Sequence, residues 1–231
     1  QSSLLGAQLA ERDPYNRLVA RQGRFRLEAE MIRDNALAVS GLLNRAIGGP
    51  SVKPYQPAGY WRELNFPVRT YEADKGDALY RRGLYTFWMR TFLNPSLLAF
   101  DAPVREECTA ERTESTTPLE ALALVNDPTY VEAARAFAER IVTEGGQETG
   151  ERVAWAYGQM LSREPPAAVA DQLATLYVQH LAGYEADPTA AAALLRGGAS
   201  QPHADLKPLE LAAWTAVARV MLNLHETITR Y

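Results

Sequence analysis

Reactive side chains are densest between Asp101 and Thr117, where Asp101, Arg105, Glu106, Glu107, Cys108, Glu111 and Arg112 precede four hydroxyls at Thr113, Ser115, Thr116 and Thr117. Residues of these types support two chemistries. Two carboxylates flanking a scissile bond would carry out acid–base hydrolysis. Cys108 or a threonine would act as nucleophile. A nucleophile needs a base beside it, and the only histidines, His180, His203 and His225, are scattered far along the chain with no metal-like spacing. Cys108 is the sole cysteine, so the chain has no internal disulfide and no Cys-x-x-Cys-His site for haem c; it reads as a small, partly buried hydrophobe. Gly-x-Ser-x-Gly, His-Glu-x-x-His, Walker and Gly-x-Gly-x-x-Gly motifs are absent. Carboxylate pairs are always available among 28 acidic residues, and helical spacing does not reveal their separation in space.

The remaining charged candidates lie on elements expected to be helical. Phe25, Ala29, Ile32, Ala36, Val39, Leu43 and Ala46 step by four and three, which predicts one core-facing helix ending at Gly48-Gly49. Its opposite face carries Arg26, Glu30, Arg33 and Asp34, read as a solvated, salt-bridged surface. Glu28 and Asn35 fall at the margin of the apolar stripe, are expected to be half-buried, and need partners. A second helix is predicted from about Leu79, with Tyr80, Leu84 and Trp88 four apart as core, Arg81 and Arg82 beside them, and Asn94-Pro95 as its end. Buried or half-buried charges require counter-ions. Some of Glu28, Asn35, Arg81, Arg82, Asp101, Arg105, Glu107 and Arg112 are therefore expected to converge in one ionic network near residues 48–77, either purely architectural or lining an open cleft.

The hydroxyl-rich stretch reads as helix punctuation. Thr117-Pro118-Leu119-Glu120 fits a capping box, with Thr117 as N-cap and Glu120 reaching back, and Asp127-Pro128 repeats the device for a helix to about Glu144 closed by Gly145-Gly146. Further helices are predicted over 152–161, 167–184, 188–195 and 209–224, the last apolar nearly all round apart from Thr215, Arg219 and Asn223, and so central and buried. No strand pair is convincing. Residues 48–77 are rich in Pro and Gly and carry Tyr55, Tyr60, Trp61, Phe66 and Tyr71, which predicts a packed loop or a binding lid. The expected architecture is all-α, an irregular multi-helix bundle forming one domain over 1–231.

The chain's 231 residues suffice for a substantial core, and 47% hydrophobic with 23% charged residues is an ordinary globular composition. A net charge of −4 and a pI near 5.5 speak against nucleic-acid binding. The apolar run 211–224 is interrupted by Arg219 and too short to span a bilayer. An opening at Gln1 in polar text reads as a piece of a longer polypeptide.

Four stretches, RDPYNRLVARQGRFRLEAEMIRDNALAVSG, GGPSV, YRRGLYTFWMRTFLNPSLLAFDAPVREECTAERTESTTPLEALALVNDP and LELAAWTAVARVMLNLHE, carry a family resemblance. Together they resemble the C-terminal domain of unknown function found in large planctomycete proteins, from about Arg12 to Arg230. In that family a planctomycete-type cytochrome c domain often lies upstream. Glu120 stands where Gln is usual, and His225 where Asp is usual. The resemblance implies an exported, extracytoplasmic multidomain protein, with haem c held outside this chain and other domains of the same polypeptide as partners; it implies no reaction. Two readings follow: a non-catalytic helical module that scaffolds or binds a partner, and a polysaccharide-binding or polysaccharide-degrading domain using the 55–71 aromatics and nearby carboxylates.

Overall fold

Proline in the first helical turn, behind a residue able to cap, starts several helices. The computed structural model describes residues 6–63, 70–89 and 92–230. Helix α1 (Ala7–Arg12) and the short strand β1 (Phe25–Arg26) precede α2 (Ala29–Ser40), α3 (Pro95–Ala99), α4 (Pro118–Asn126), α5 (Pro128–Glu144) and α6 (Thr149–Leu161). Then come α7 (Ala167–Ala186), α8 (Pro188–Leu195), α9 (Pro208–Leu222), α10 (His225–Ile228) and β2 (Thr229–Arg230). The Asp127 carboxylate accepts from the Thr129 amide at 2.8 Å, and Asp187 accepts from Thr189 and Ala190, so both satisfy amides that a helix start leaves unpaired. Thr117 and Glu120 form the capping box of α4, Glu120 accepting the Thr117 amide at 3.0 Å. Thr117→Ala should therefore lower the unfolding free energy by about 0.5–2 kcal/mol, read from the urea midpoint; an unchanged midpoint would show that Glu120 alone sustains the cap.

The all-α expectation holds, and α9 is central, packed against α5, α7 and α8. Trp214 on α9 is fully buried and stacks on Tyr177 of α7 with ring centroids 4.5 Å apart. From α5, Phe137, Ala138 and Ile141 fill the interface. Burying such side chains is worth about 1.5–3 kcal/mol each, which is why a helix apolar on nearly every side lies inside.

Five expectations need correction. The helix predicted over 25–46 spans only Ala29–Ser40: Phe25 belongs to β1, which pairs antiparallel with β2, and Gly41 at φ 82° ends the helix before Gly48 is reached. That pairing also corrects the reading that no strand pair is convincing. Residues 76–85 form two short 3₁₀ turns with extended chain beyond them, so the four-residue spacing of Tyr80, Leu84 and Trp88 does not mark a helix; Tyr80 is buried while Leu84 is 61% exposed. Asn94-Pro95 starts α3 instead of ending a helix, with the Asn94 side chain accepting from the Ser96 and Leu97 amides. Finally, Cys108 is exposed.

The aromatic loop is packed where it is described; Phe66 and Pro67 lie outside the described residues. Trp61 is buried against Tyr71, at 5.1 Å between centroids, and its Nε1 donates to Gln56. The Tyr60 hydroxyl donates to the Leu93 carbonyl and that of Tyr71 to Pro54. Each polar handle is satisfied within the chain, which fixes the rings against their own fold.

Candidate functional site

The backbone closure at β1–β2 sets Arg26 in place. The Leu27 amide donates to the Ile228 carbonyl at 2.7 Å, so the segment entering α2 is held by the last residues described. Arg26 then reaches two carboxylates: Nη2 to Asp101 at 2.6 Å and Nη1 to Glu120 at 2.8 Å. It also donates to the Ser115 and Phe100 carbonyls. Its side chain is only 10% exposed. Asp101, at φ 59° just past α3, accepts further bonds from the Ser115 amide and hydroxyl. Burial alone would raise the Asp101 pKa, but the bonds from Ser115 and Arg26 outweigh it and hold the carboxyl below its ordinary value.

At the N-terminus of α2, Arg112 forms a bidentate pair with Glu30, at 2.7 and 3.3 Å, and approaches Glu28 at 3.4 Å. The hydrogen bond that Arg112 donates to Glu30 raises the Arg112 pKa. Arg26, Glu28, Asp101 and Arg112, with the segment 109–114, line a cleft of about 540 Å³. One turn along α2, Asp34 meets Arg82 at 3.2 Å and accepts the Gly83 amide.

Glu28, Asp101 and Arg112 thus share one cleft, and Arg82 lies a turn away on the same helix. Arg81 is buried and turned to the carbonyls of Ala46, Gly48 and Pro50, with its guanidinium 4.0 Å over the Tyr85 ring. Arg105 sits 3.7 Å over Trp88, and Glu107 is exposed. Asn35 faces elsewhere, donating to the Thr227 carbonyl. The solvated-face reading of Arg26, Glu30, Arg33 and Asp34 fails: Arg33 is 4% exposed and donates to the Leu79 and Arg81 carbonyls, while Arg26 and Glu30 pair with distant residues, not with neighbours on the helix. Glu28, expected half-buried, is exposed.

A second polar cluster escaped the sequence altogether. Glu132, 1% exposed, accepts from the Tyr55 and Tyr80 hydroxyls at 2.8 Å each and from the Ser200 amide and hydroxyl at 2.6 and 2.7 Å. Arg135, equally buried, lies 3.8 Å from Glu132, pairs with Glu139 at 2.8 Å and donates to Ser200. Burial, then the Glu132 carboxylate, pushes the Tyr80 pKa up to about 12. Gly198, at φ 90°, passes so close to Glu132 that a Cβ there would collide with the carboxylate. The only local signal was the spacing of Glu132, Arg135 and Glu139, which ordinarily marks a surface ion-pair ladder.

Chemically, the cleft's cations already have carboxylate partners. A general acid working near neutrality needs a raised pKa, and Asp101 is held down. Burial raises the Asp127 pKa, but Asp127 caps α5. Among the described residues no three His, Cys, Asp or Glu side chains gather as a metal site would require, and no helix is long and apolar enough to cross a membrane.

Fold and cleft together define an all-α domain closed by buried and half-buried ion pairs. The chain matches the family described as PSD1, a protein of unknown function (DUF1553), over residues 1–177, and it belongs to that family. No curated protein and no solved structure matches it.

Proposed function

We propose that the domain is a non-catalytic docking module of an exported, c-type-cytochrome-linked multidomain protein, and that it holds neighbouring domains of the same polypeptide in place. The observation behind this reading is the arm between α1 and β1. Asp13, 6% exposed, accepts the Arg17 and Leu18 amides at 2.7 and 2.8 Å, and Asn16 exchanges two bonds with Arg21. So braced, the arm presents Tyr15, Leu18 and Val19 at 81, 76 and 69% exposure beside the exposed Arg12 and Arg17. Val19 sits at φ 53°, which costs a β-branched residue on the order of 1–3 kcal/mol. A rigid loop that accepts strain to expose three apolar side chains suits an apolar, acid-rimmed surface on another domain.

Export, the upstream haem c and the planctomycete setting rest on the family resemblance. For the polysaccharide reading, Trp61 is buried and the Tyr55, Tyr60 and Tyr71 hydroxyls bond within the chain, which favours packing over sugar contact. The test mixes this chain with the remainder of its polypeptide, produced separately. We expect saturable binding, and Tyr15→Ala with Leu18→Asp should weaken it by roughly tenfold or more without altering the melting temperature. Absence of binding, or polysaccharide turnover by this chain unaffected by those changes, would overturn the reading.

A further inference from the structure

Away from the arm and the ionic cleft, α4, α7 and α9 enclose a second cleft of about 350 Å³. Its volume falls at the small end of the ~300–1,000 Å³ range of small-molecule pockets. Val125, Val220 and Leu224 supply apolar walls, and His180 and Tyr184, with rings stacked at 6.0 Å, form another side. The exception is Arg219, half-buried on α9. One of its five donors, on Nη2, is given to the Val125 carbonyl at 2.6 Å, at the C-terminal end of α4; its buried Nε lacks an acceptor, as do those of Arg26, Arg33, Arg81 and Arg135, but unlike Arg26 and Arg135 it meets no carboxylate among the described residues. Elsewhere in the fold buried and half-buried arginines meet carboxylates or several carbonyls. Burial, and then the charge of Arg219, lower the His180 pKa, and an imidazole in either protonation state offers the guanidinium no negative charge. Tyr184 feels the same single charge.

We infer that this cleft binds a small monocarboxylate carried on a compact apolar body, its carboxylate on the free Arg219 donors and its body against Val125, Val220 and Leu224. An arginine in an apolar surround favours a flat, bidentate anion over a hydrated one, and the apolar walls require that most of the ligand be hydrocarbon. A neutral ligand of the same shape would leave the guanidinium as it is and gain only the wall contacts.

The probe is 3-phenylpropionate, titrated into this chain by calorimetry and by amide-resolved NMR, with 3-phenylpropanol as the neutral isostere. Saturable one-to-one binding is expected, with shifts at Val125, Val220 and Leu224 and none around Arg26. The alcohol should bind about tenfold or more weakly, as should the acid to Arg219→Gln, which loses the charge-assisted bonds. Because Arg219 also holds the end of α4, Val220→Trp serves as the second variant: it fills the cleft from a 40% exposed position, leaves the arginine intact, and should abolish binding at an unchanged melting temperature. No saturation at millimolar concentration, equal binding of acid and alcohol, or undiminished binding to Val220→Trp would each overturn the inference.

Discussion

Arg26→Ala should lower the unfolding free energy by about 3–5 kcal/mol, the cost of leaving a buried carboxylate without its counter-ion. Glu120 is 3% exposed and Asp101 about one-fifth exposed at the side chain, so the larger share of the loss belongs to Glu120. Arg26→Lys should recover only part of it, since one ammonium cannot present the guanidinium's fork to two carboxylates. Arg112→Ala should cost less, about 1–2 kcal/mol, because Arg112 itself is 31% exposed and water can reach Glu30, 12% exposed, once the guanidinium is gone, while Glu28 at 57% is already hydrated. Urea unfolding at pH 7 measures all three, and a loss for Arg26→Ala no greater than that for Arg112→Ala would refute the assignment. Acid titration adds a check on sign. The folded pKa of Asp101 lies below its ordinary 3.8, so its contribution is present above that value and disappears as the pH falls through the lower, folded value. Arg26→Ala should flatten that part of the stability profile.

Glu132→Ala is expected to be comparably severe, about 3–5 kcal/mol, for a different reason. The carboxylate is the common acceptor for Tyr55 in the aromatic loop, Tyr80 in a 3₁₀ turn and Ser200 before α9, so three chain segments lose their shared anchor on α5 while Arg135 loses a neighbouring charge. Glu132→Gln should be milder, since an amide oxygen can still accept from a tyrosine, but its NH2 group would face donors. Hydrogen exchange gives the distinguishing readout: amides of 52–56 and 199–201 should lose protection together. If stability fell with protection of those segments unchanged, the anchoring role would be wrong.

Most of the helical frame was legible because its signals are local. Asp127-Pro128 and Gly145 delimit α5 within a few residues, and the all-round apolar character of 209–222 is enough to place α9 at the centre. The failures share one cause, a partner distant in sequence. Phe25 fits a helical stripe by spacing, yet its backbone is claimed by Arg230. Tyr80 and Trp88 fit another, but Gly83 packs against Glu30, and the chain there runs in turns and isolated bridges to residues 44 and 52. The cleft was half legible: Glu28, Asp101 and Arg112 stood out as unpaired charges, whereas Arg26 and Glu30 were assigned to each other because i,i+4 spacing makes such pairs look self-sufficient. Nothing in that spacing reveals that their partners lie at 101, 112 and 120. Glu132 was hidden in the same way, an ordinary ladder residue by pattern and a buried acceptor in fact.

The β1–β2 closure also imposes an order of events on the growing chain. Residues 25–26 and 229–230 meet across some two hundred intervening residues, the kind of contact whose loop-closure cost is met late in folding. During synthesis the carboxylates at 101 and 120 emerge well before the strand that fixes Arg26's backbone. At ~5–20 residues per second the interval is roughly 5–20 s. For that time the arginine can find its counter-ions while its own segment is still untethered, and slower synthesis of residues 121–230 prolongs the interval in which a mispaired Arg26 can still correct itself.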